Sequence, residues 1–206
     1  MKKEFSEYLK GLKQFRKKYA KNDDALMHQL ASNGQVPRVL VVSCSDSRVD
    51  PALLMQCNPG ELFVIRNVAN IIPPYEQDGL HHGTSAALEY GVCYLGVNDL
   101  ILLGHSDCGG IRAFLNPENL KQNDFISSWV NLLNLTYKPE CVNECARDAL
   151  IISYKQCLTF PWIRQRVEAG TLTLHVWFFE ISTAKLFGLD INSFTFHELI
   201  SDEELD

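Results

Sequence analysis

Apolar and polar positions follow three successive regimes along the chain. Between Glu4 and Tyr19 the residues Phe5, Tyr8, Leu9, Leu12, Phe15 and Tyr19 recur mostly at steps of three and four, which places them on one face of a helix with the charges opposite. Gly11 weakens this helix slightly. A second helix is expected to start at Asn22, Asp23 or Asp24, run through Leu26, Met27 and Leu30, and stop at Gly34, a residue suited to the left-handed position after a helix. Both precede any strand, so residues 1–34 read as a helical arm with two places to pack: the chain's own core or another subunit.

The second regime alternates strands with helices. Val39 to Val42 is an unbroken apolar run, as in strands buried on both faces of a parallel sheet. Pro51 to Gln56 fits a short helix with proline in its first turn, closed by the Asn58-Pro59-Gly60 turn. Leu62 to Ile65 is the next strand, and Arg66 to Asp78, with Pro73-Pro74 inside it, reads as a loop. Thr84 to Leu95 suits a tightly packed helix and Asp99 to Leu103 a third buried strand. This order predicts an α/β fold, a mostly parallel central sheet flanked by helices, with right-handed crossovers.

Beyond Leu115, helices are expected over Asp124 to Leu135, Pro139 to Leu158 and Pro161 to Ala169. His175 to Ile181 alternates around Phe178-Phe179 and reads as an edge strand with one strongly apolar face, for which a second subunit is the natural cover. No repeat, low-complexity tract or linker divides the chain. Residues 1–206 therefore read as one domain: the arm 1–34, a core 35–115, and helices with C-terminal strands over 116–206.

Composition narrows the function classes. With 206 residues, 46% hydrophobic and 21% charged, the chain can bury one sizeable core as a soluble domain. A net charge of -6 argues against nucleic acid as a partner, and the basic residues from Lys10 to Lys21 read as a solvated helix face. No stretch approaches the roughly 18 apolar residues of a membrane span, and Met1-Lys2-Lys3 is followed by Glu4 and Glu7 rather than an apolar signal segment. Seven cysteines, an odd number without a secretory signal, fit a reducing compartment, so a cytoplasmic location is expected.

The candidate chemistry lies just past two of the expected strands, the edge at which open α/β sheets bind ligands. Cys44 follows the first strand, and His105 and Cys108 follow the third. A Cys2His set suits zinc and leaves a fourth position open. Singly, each reads as a small buried hydrophobe or a loop histidine; the three together point to a catalytic metal site. Asp46 and Arg48 are close enough in sequence for a bidentate pair that orients the carboxylate toward metal-bound water, or else form a surface pair of little energetic value. Gly109 and Gly110 allow close backbone approach and could present amides to an anion; a plain turn is the competing reading. Cys141 and Cys145 are one helical turn apart, a spacing that can bind metal, yet no histidine is near. Packing is the expected role for them and for Cys57, Cys93 and Cys157. His81 and His82 read as a proton relay or an exposed loop pair.

Three stretches, Cys-Ser-Asp-Ser-Arg at 44 to 48, Arg-Asn-Val-Ala-Asn at 66 to 70 and Gly-His-Ser-Asp-Cys-Gly-Gly at 104 to 110, resemble the β-class carbonic anhydrases in order and spacing. The resemblance spans Gln35 to Leu115 and continues more loosely, with Leu172 to Asp190 similar to the family's last strand and following hairpin, an antiparallel C-terminal edge. It implies Cys44, His105 and Cys108 as ligands of one zinc ion per chain and Asp46 with Arg48 as the catalytic dyad. It further implies Gln35 as a hydrogen-bonding partner of substrate, and Phe63, Val68 and Tyr90 as the lining of a narrow apolar pocket. The implied reaction is reversible hydration of carbon dioxide to bicarbonate through zinc-bound hydroxide, in a homodimer or larger homo-oligomer. Zinc lowers the pKa of its water from about 15.7 toward neutrality. Two thiolates cancel the charge of the ion, so activity is expected to rise toward alkaline pH. Family members that close their site carry a tryptophan three residues before the first ligand. Here Val41 stands there, so the open, plant-like form with Asp46 on Arg48 is expected. Two other readings are a related small electrophile such as carbon disulfide as substrate, and a non-catalytic zinc or thiol protein; the presence of Asp46, Arg48 and Gln35 speaks against the last.

Overall fold

Val39–Cys44 forms β1, which lies between β2 (Leu62–Asn67) and β3 (Asp99–His105), all parallel. The computed structural model describes residues 4–22, 25–121, 124–137 and 139–201, so Met1-Lys2-Lys3 and the expected helix start at Asp23 or Asp24 lie outside the described residues. Each of the three strands runs two residues or more past the end of its apolar run. The ladder is built from backbone groups, so polar residues stay in register: Cys44 pairs with Asn67 and Ser43 with Leu103. Cys44 and His105 are thus the last residues of their strands, not residues that follow them.

The sheet continues through β4 (Thr173–Glu180), parallel to β3, then β5 (Lys185–Asp190) and β6 (Thr195–Glu198), both antiparallel, in the order β2-β1-β3-β4-β5-β6. This corrects the edge-strand reading of His175 to Ile181. β4 is interior, Phe178 is fully buried, and the chain covers its own apolar face. The short strand β6, which no sequence pattern announced, is the edge on that side, and β2 is the other.

Leu40, Val42, Leu100, Leu102, Val176 and Phe178 join the larger core, while Val41, Ile101 and Leu103 form a smaller cluster of their own, as period-two strands require. Helices α3 (Pro51–Leu54), α4 (Gly83–Glu89), α5 (Gly109–Leu115), α6 (Phe125–Val130), α7 (Val142–Cys157) and α8 (Pro161–Glu168) supply the crossovers and layers, with α7 packed across β3 and β4. The helix expected over Thr84 to Leu95 is α only as far as Glu89 and continues as a π-helical turn over Tyr90–Tyr94. In the arm, packing on the rest of the chain is sparse: helix α1 (Phe5–Tyr19) buries none of its residues, and Tyr19 donates to Asn58 Oδ1 at 3.1 Å. Helix α2 (Leu26–Asn33) brings Leu30 against Gly60. No helix among the described residues is long and apolar enough to cross a membrane.

Candidate metal centre

β1 and β3 end side by side, so the sheet itself carries Cys44 and His105 to one edge, and the turn after β3 returns Cys108 beside them. All three are buried, with their ligand atoms within 4.8 Å of one another. The Cys44 and Cys108 sulfurs are 3.8 Å apart. That is about the separation of two sulfurs each ~2.3 Å from one tetrahedral zinc ion. His105 Nδ1 lies 2.8 Å from the Ser106 carbonyl, which can only accept, so Nδ1 carries the proton and Nε2 is left as a bare acceptor. Among the described residues that buried Nε2 has no hydrogen-bond partner. An unpaired buried acceptor beside two thiols is costly in a metal-free protein and is what a metal ligand needs. The residues therefore fit zinc.

The sulfurs are tuned by their surroundings. The Cys44 thiol is held far below its ordinary pKa, chiefly by the hydrogen bond from Cys108, against the opposing effect of burial and with help from His105 and the backbone N–H groups of Asp46 and Ala69. Cys108 is raised in turn by sharing that proton and by burial, while the amides of Ile111 and Gly110 pull it down. One amide of the glycine pair, that of Gly110, thus faces the Cys108 sulfur.

Asp46 stands at the rim of the centre. Its Oδ2 is 3.9 Å from His105 Nε2, yet its partner is Arg48, which donates from Nε to Oδ1 at 2.9 Å and from Nη2 to Oδ2 at 2.7 Å. This bidentate grip holds the Asp46 carboxyl below the usual carboxylate range.

Two further residues build the loops. Arg66 donates to the carbonyls of Cys44 (3.0 Å) and Asp46 (2.7 Å) and to Asp50 Oδ2 (2.9 Å), stapling the exit of β1. Asn67 bonds both the N–H and the carbonyl of Ile71 at 2.9 Å, closing a turn in which Ala69 and Asn70 take positive φ values of 62° and 46°. Such strain persists where surrounding bonds enforce it, and here the turn aims the Ala69 amide at Cys44. The loop reading of Arg66 to Asp78 contained no sign of this; the only signal was the Arg-Asn-Val-Ala-Asn stretch itself.

The expected pocket residues separate into two groups. Val68, Gly109 and Gly110 are at the centre. Phe63 pairs in register with Leu40, four residues before the level of Cys44, or about 13 Å along the strand. Tyr90 packs on Phe63 with ring centroids 5.9 Å apart, and Gln35 is exposed ahead of β1. Within one chain these three do not face the metal ligands. A cavity of about 750 Å³ beside Val68 is lined by Phe125, Trp129, His81 and His82 among others. Trp129 Nε1 donates to the Val68 carbonyl at 2.7 Å, and His82 is paired with Asp78 at 2.7 Å.

The remaining cysteines divide differently from expectation. Cys145 and Cys157 are buried, and burial pushes both thiols up to about 12. Cys141 is exposed and accepts from the Glu144 N–H at 3.4 Å as the cap of α7. Cys93 is also exposed, so packing does not describe it.

In sequence and fold the chain is similar to known proteins. The carbonic anhydrase family model matches residues 39–186. A carbonic anhydrase of Synechocystis sp. is 34% identical over 194 residues, covering 88% of this chain and 70% of its own length. One from Pseudomonas aeruginosa is 39% identical over 182 residues, covering 83% and 81%. The solved structure of the β-carbonic anhydrase CcaA matches with a TM-score of 0.82 at 33% identity, over 96% of this chain and 92% of that one. A tetrameric β-carbonic anhydrase of Sordaria macrospora matches with a TM-score of 0.77 at 28% identity, over 90% and 96%. With the family model spanning the strands that carry the Cys-His-Cys centre, and a β-class structure matching nearly the whole chain, this protein belongs to the β-carbonic anhydrase family.

Proposed function

We propose that the chain carries out its family's reaction, the zinc-dependent reversible hydration of carbon dioxide to bicarbonate and a proton. Cys44, His105 and Cys108 hold the ion. The observation that carries this is the buried His105 Nε2, without a hydrogen-bond partner among the described residues, set beside two sulfurs 3.8 Å apart. The chemistry that zinc supplies when bound is the acidification of water toward neutral pH. The chain's own residues then direct the reaction. Asp46, kept ionised by Arg48, accepts a hydrogen bond from water at the site and so turns a lone pair toward the substrate carbon. Val68 offers an apolar wall for uncharged carbon dioxide. The grip of Arg48 on Asp46 supports the open form of the site, with the carboxylate on the arginine rather than on the metal.

The placement of Gln35, Phe63 and Tyr90 away from the centre supports a homo-oligomer in which a second copy brings its own set to complete the pocket. The apolar face of the helix Phe5–Tyr19, exposed at Phe5, Tyr8, Leu9 and Leu12, supports the same reading for the arm. Seven unpaired thiols favour a reducing, cytoplasmic setting.

The test is stopped-flow carbon dioxide hydration on metal-quantified protein beside Cys108→Ser. The wild type should carry about one zinc per chain and hydrate carbon dioxide. Losing a residue that merely supports a ligand costs about 10–100-fold, so the ligand variant should lose most of its zinc and at least about 100-fold of the rate. Zinc-replete wild type without hydration activity would overturn the proposal and turn attention to carbon disulfide or to a non-catalytic role.

A further inference from the structure

Next to the proposed ligands and the Asp46–Arg48 pair stand a carboxylate and an arginine that the reaction does not yet use. Asp107, between His105 and Cys108, adopts a positive φ of 55°, a conformation that Asp tolerates better than most residues. Its N–H donates to Asn143 Oδ1 of α7 at 2.8 Å, which pins the turn. From there it meets Arg48 twice: Nη1 donates to Oδ2 at 3.3 Å, and Nη2 donates to the Asp107 carbonyl at 3.1 Å. Asp107 Oδ1 accepts from Arg112 Nη2 on α5. Asp46, Arg48, Asp107 and Arg112 thus form a row of alternating charge leading away from the metal centre.

A guanidinium bonded along one edge only can still swing on its own side-chain torsions and carry its carboxylate with it. A second grip on the adjacent Nη1–Nη2 edge, which shares only Nη2 with the first, removes that freedom. Asp107 alone would compete with Asp46 for the same cation, and Arg112 balances the added negative charge. We propose that Asp107, braced by Arg112 and Asn143, is a positioning residue that fixes Arg48 and through it the orientation of Asp46. The inference rests on the reading of Asp46 and Arg48 as the working pair. The Arg48 and Asp107 side chains are 43% and 57% exposed, so the contact adds little to stability. Its effect is on orientation, where small misplacements cost rate.

A double-mutant cycle on zinc-replete protein tests this, with Asp107→Ala, Arg48→Ala and the two combined. Asp107→Ala should lower kcat for carbon dioxide hydration roughly tenfold with KM and zinc content unchanged, and should cost nothing further in the Arg48→Ala background. Asp107→Asn keeps an acceptor and tolerates the positive φ, and should restore most of the rate. A second readout is the Arg48 Nε–Hε signal in ¹⁵N spectra, sharp in the wild type and broadened by solvent exchange in Asp107→Ala. Arg112→Gln should lower kcat roughly threefold, again only when Arg48 is present, which keeps the inference testable if Asp107→Ala loses its zinc. Wild-type kcat in Asp107→Ala, or losses that multiply in the double variant, would overturn the inference alone. Wild-type kcat in Arg48→Ala would instead bring down the reading of the dyad and this inference with it.

Discussion

At the residue scale, the metal centre is crowded on one side and open on the other, and its two neighbouring glycines report the difference. A Cβ on Gly110 would lie 2.5 Å from Val68 Cγ1 and 3.2 Å from the Ala69 backbone nitrogen, whereas one on Gly109 would meet nothing within 4 Å. Both glycines are helical, where alanine ordinarily gains about 0.5–1 kcal/mol over glycine. At Gly110 the contact should win, because Val68 and Ala69 belong to the strained turn that Asn67 holds in place and cannot easily retreat. Overpacking of this kind costs about 1–3 kcal/mol, or a fall of about 3–10 °C in melting temperature for a chain of this size. Gly110→Ala should also weaken zinc retention, since displacing Ala69 moves its amide away from Cys44. Gly109→Ala, with nothing to oppose the helical gain, should melt about 1–4 °C above the wild type. Calorimetry of the two variants decides the matter, and equal melting temperatures would remove the Val68 contact as the reason for glycine at 110.

At the element scale, α7 and the turn after β2 are joined by one buried hydroxyl. Ser153 Oγ donates to the Asn70 carbonyl at 3.3 Å and accepts from the Ile72 N–H at 3.2 Å, fully out of water. Ser153→Ala would leave two buried backbone groups without partners, at a cost of about 1–3 kcal/mol. Urea unfolding should show this as a lower midpoint with an unchanged slope, while an unchanged midpoint would mean that water replaces the hydroxyl. Ser153 also shows what the sequence could and could not reveal. The apolar runs Val39 to Val42 and Leu62 to Ile65 announce strands because burial on both faces selects their side chains. A serine in mid-helix announces nothing, since its partners are 81 and 83 residues away in sequence. The strands outrun their apolar runs for a related reason: Ser43, Cys44, Gly104 and His105 stay in the ladder through backbone bonds that polar side chains do not advertise. Cys44, His105 and Cys108 were legible because few residue types suit a metal. Arg66 and Asp107 were not, because an arginine or an aspartate in a loop is ordinary until its partners are seen.

At the scale of the whole molecule, the arm is the part whose packing within the chain explains least. The exposed face of the helix Phe5–Tyr19 carries Phe5, Tyr8, Leu9, Leu12 and Phe15, from 40% to 79% accessible. Residues 1–21 hold eight Lys and Arg against two Glu, a net +6 in a chain whose total is -6, so residues 22–206 carry -12. A basic, apolar arm beside an acidic body is complementary to a second copy of the same chain. With about 60% of their surface still to bury, these five side chains contribute roughly 4–9 kcal/mol per arm, and a two-fold dimer has two arms, which together offset an association cost of about 4–15 kcal/mol. Replacing Leu9 and Leu12 with Glu removes four of these side chains per dimer and puts charge in their place. The Leu9→Glu/Leu12→Glu variant should therefore elute and scatter light with the mass of a single chain at micromolar concentration, keeping its zinc and its circular dichroism. If Gln35, Phe63 and Tyr90 reach the metal centre only across the interface, carbon dioxide hydration should fall with the oligomer and return at concentrations that restore it. An unchanged assembly would show that the arm is not the contact, and a monomer with full activity would show that one chain completes its own pocket.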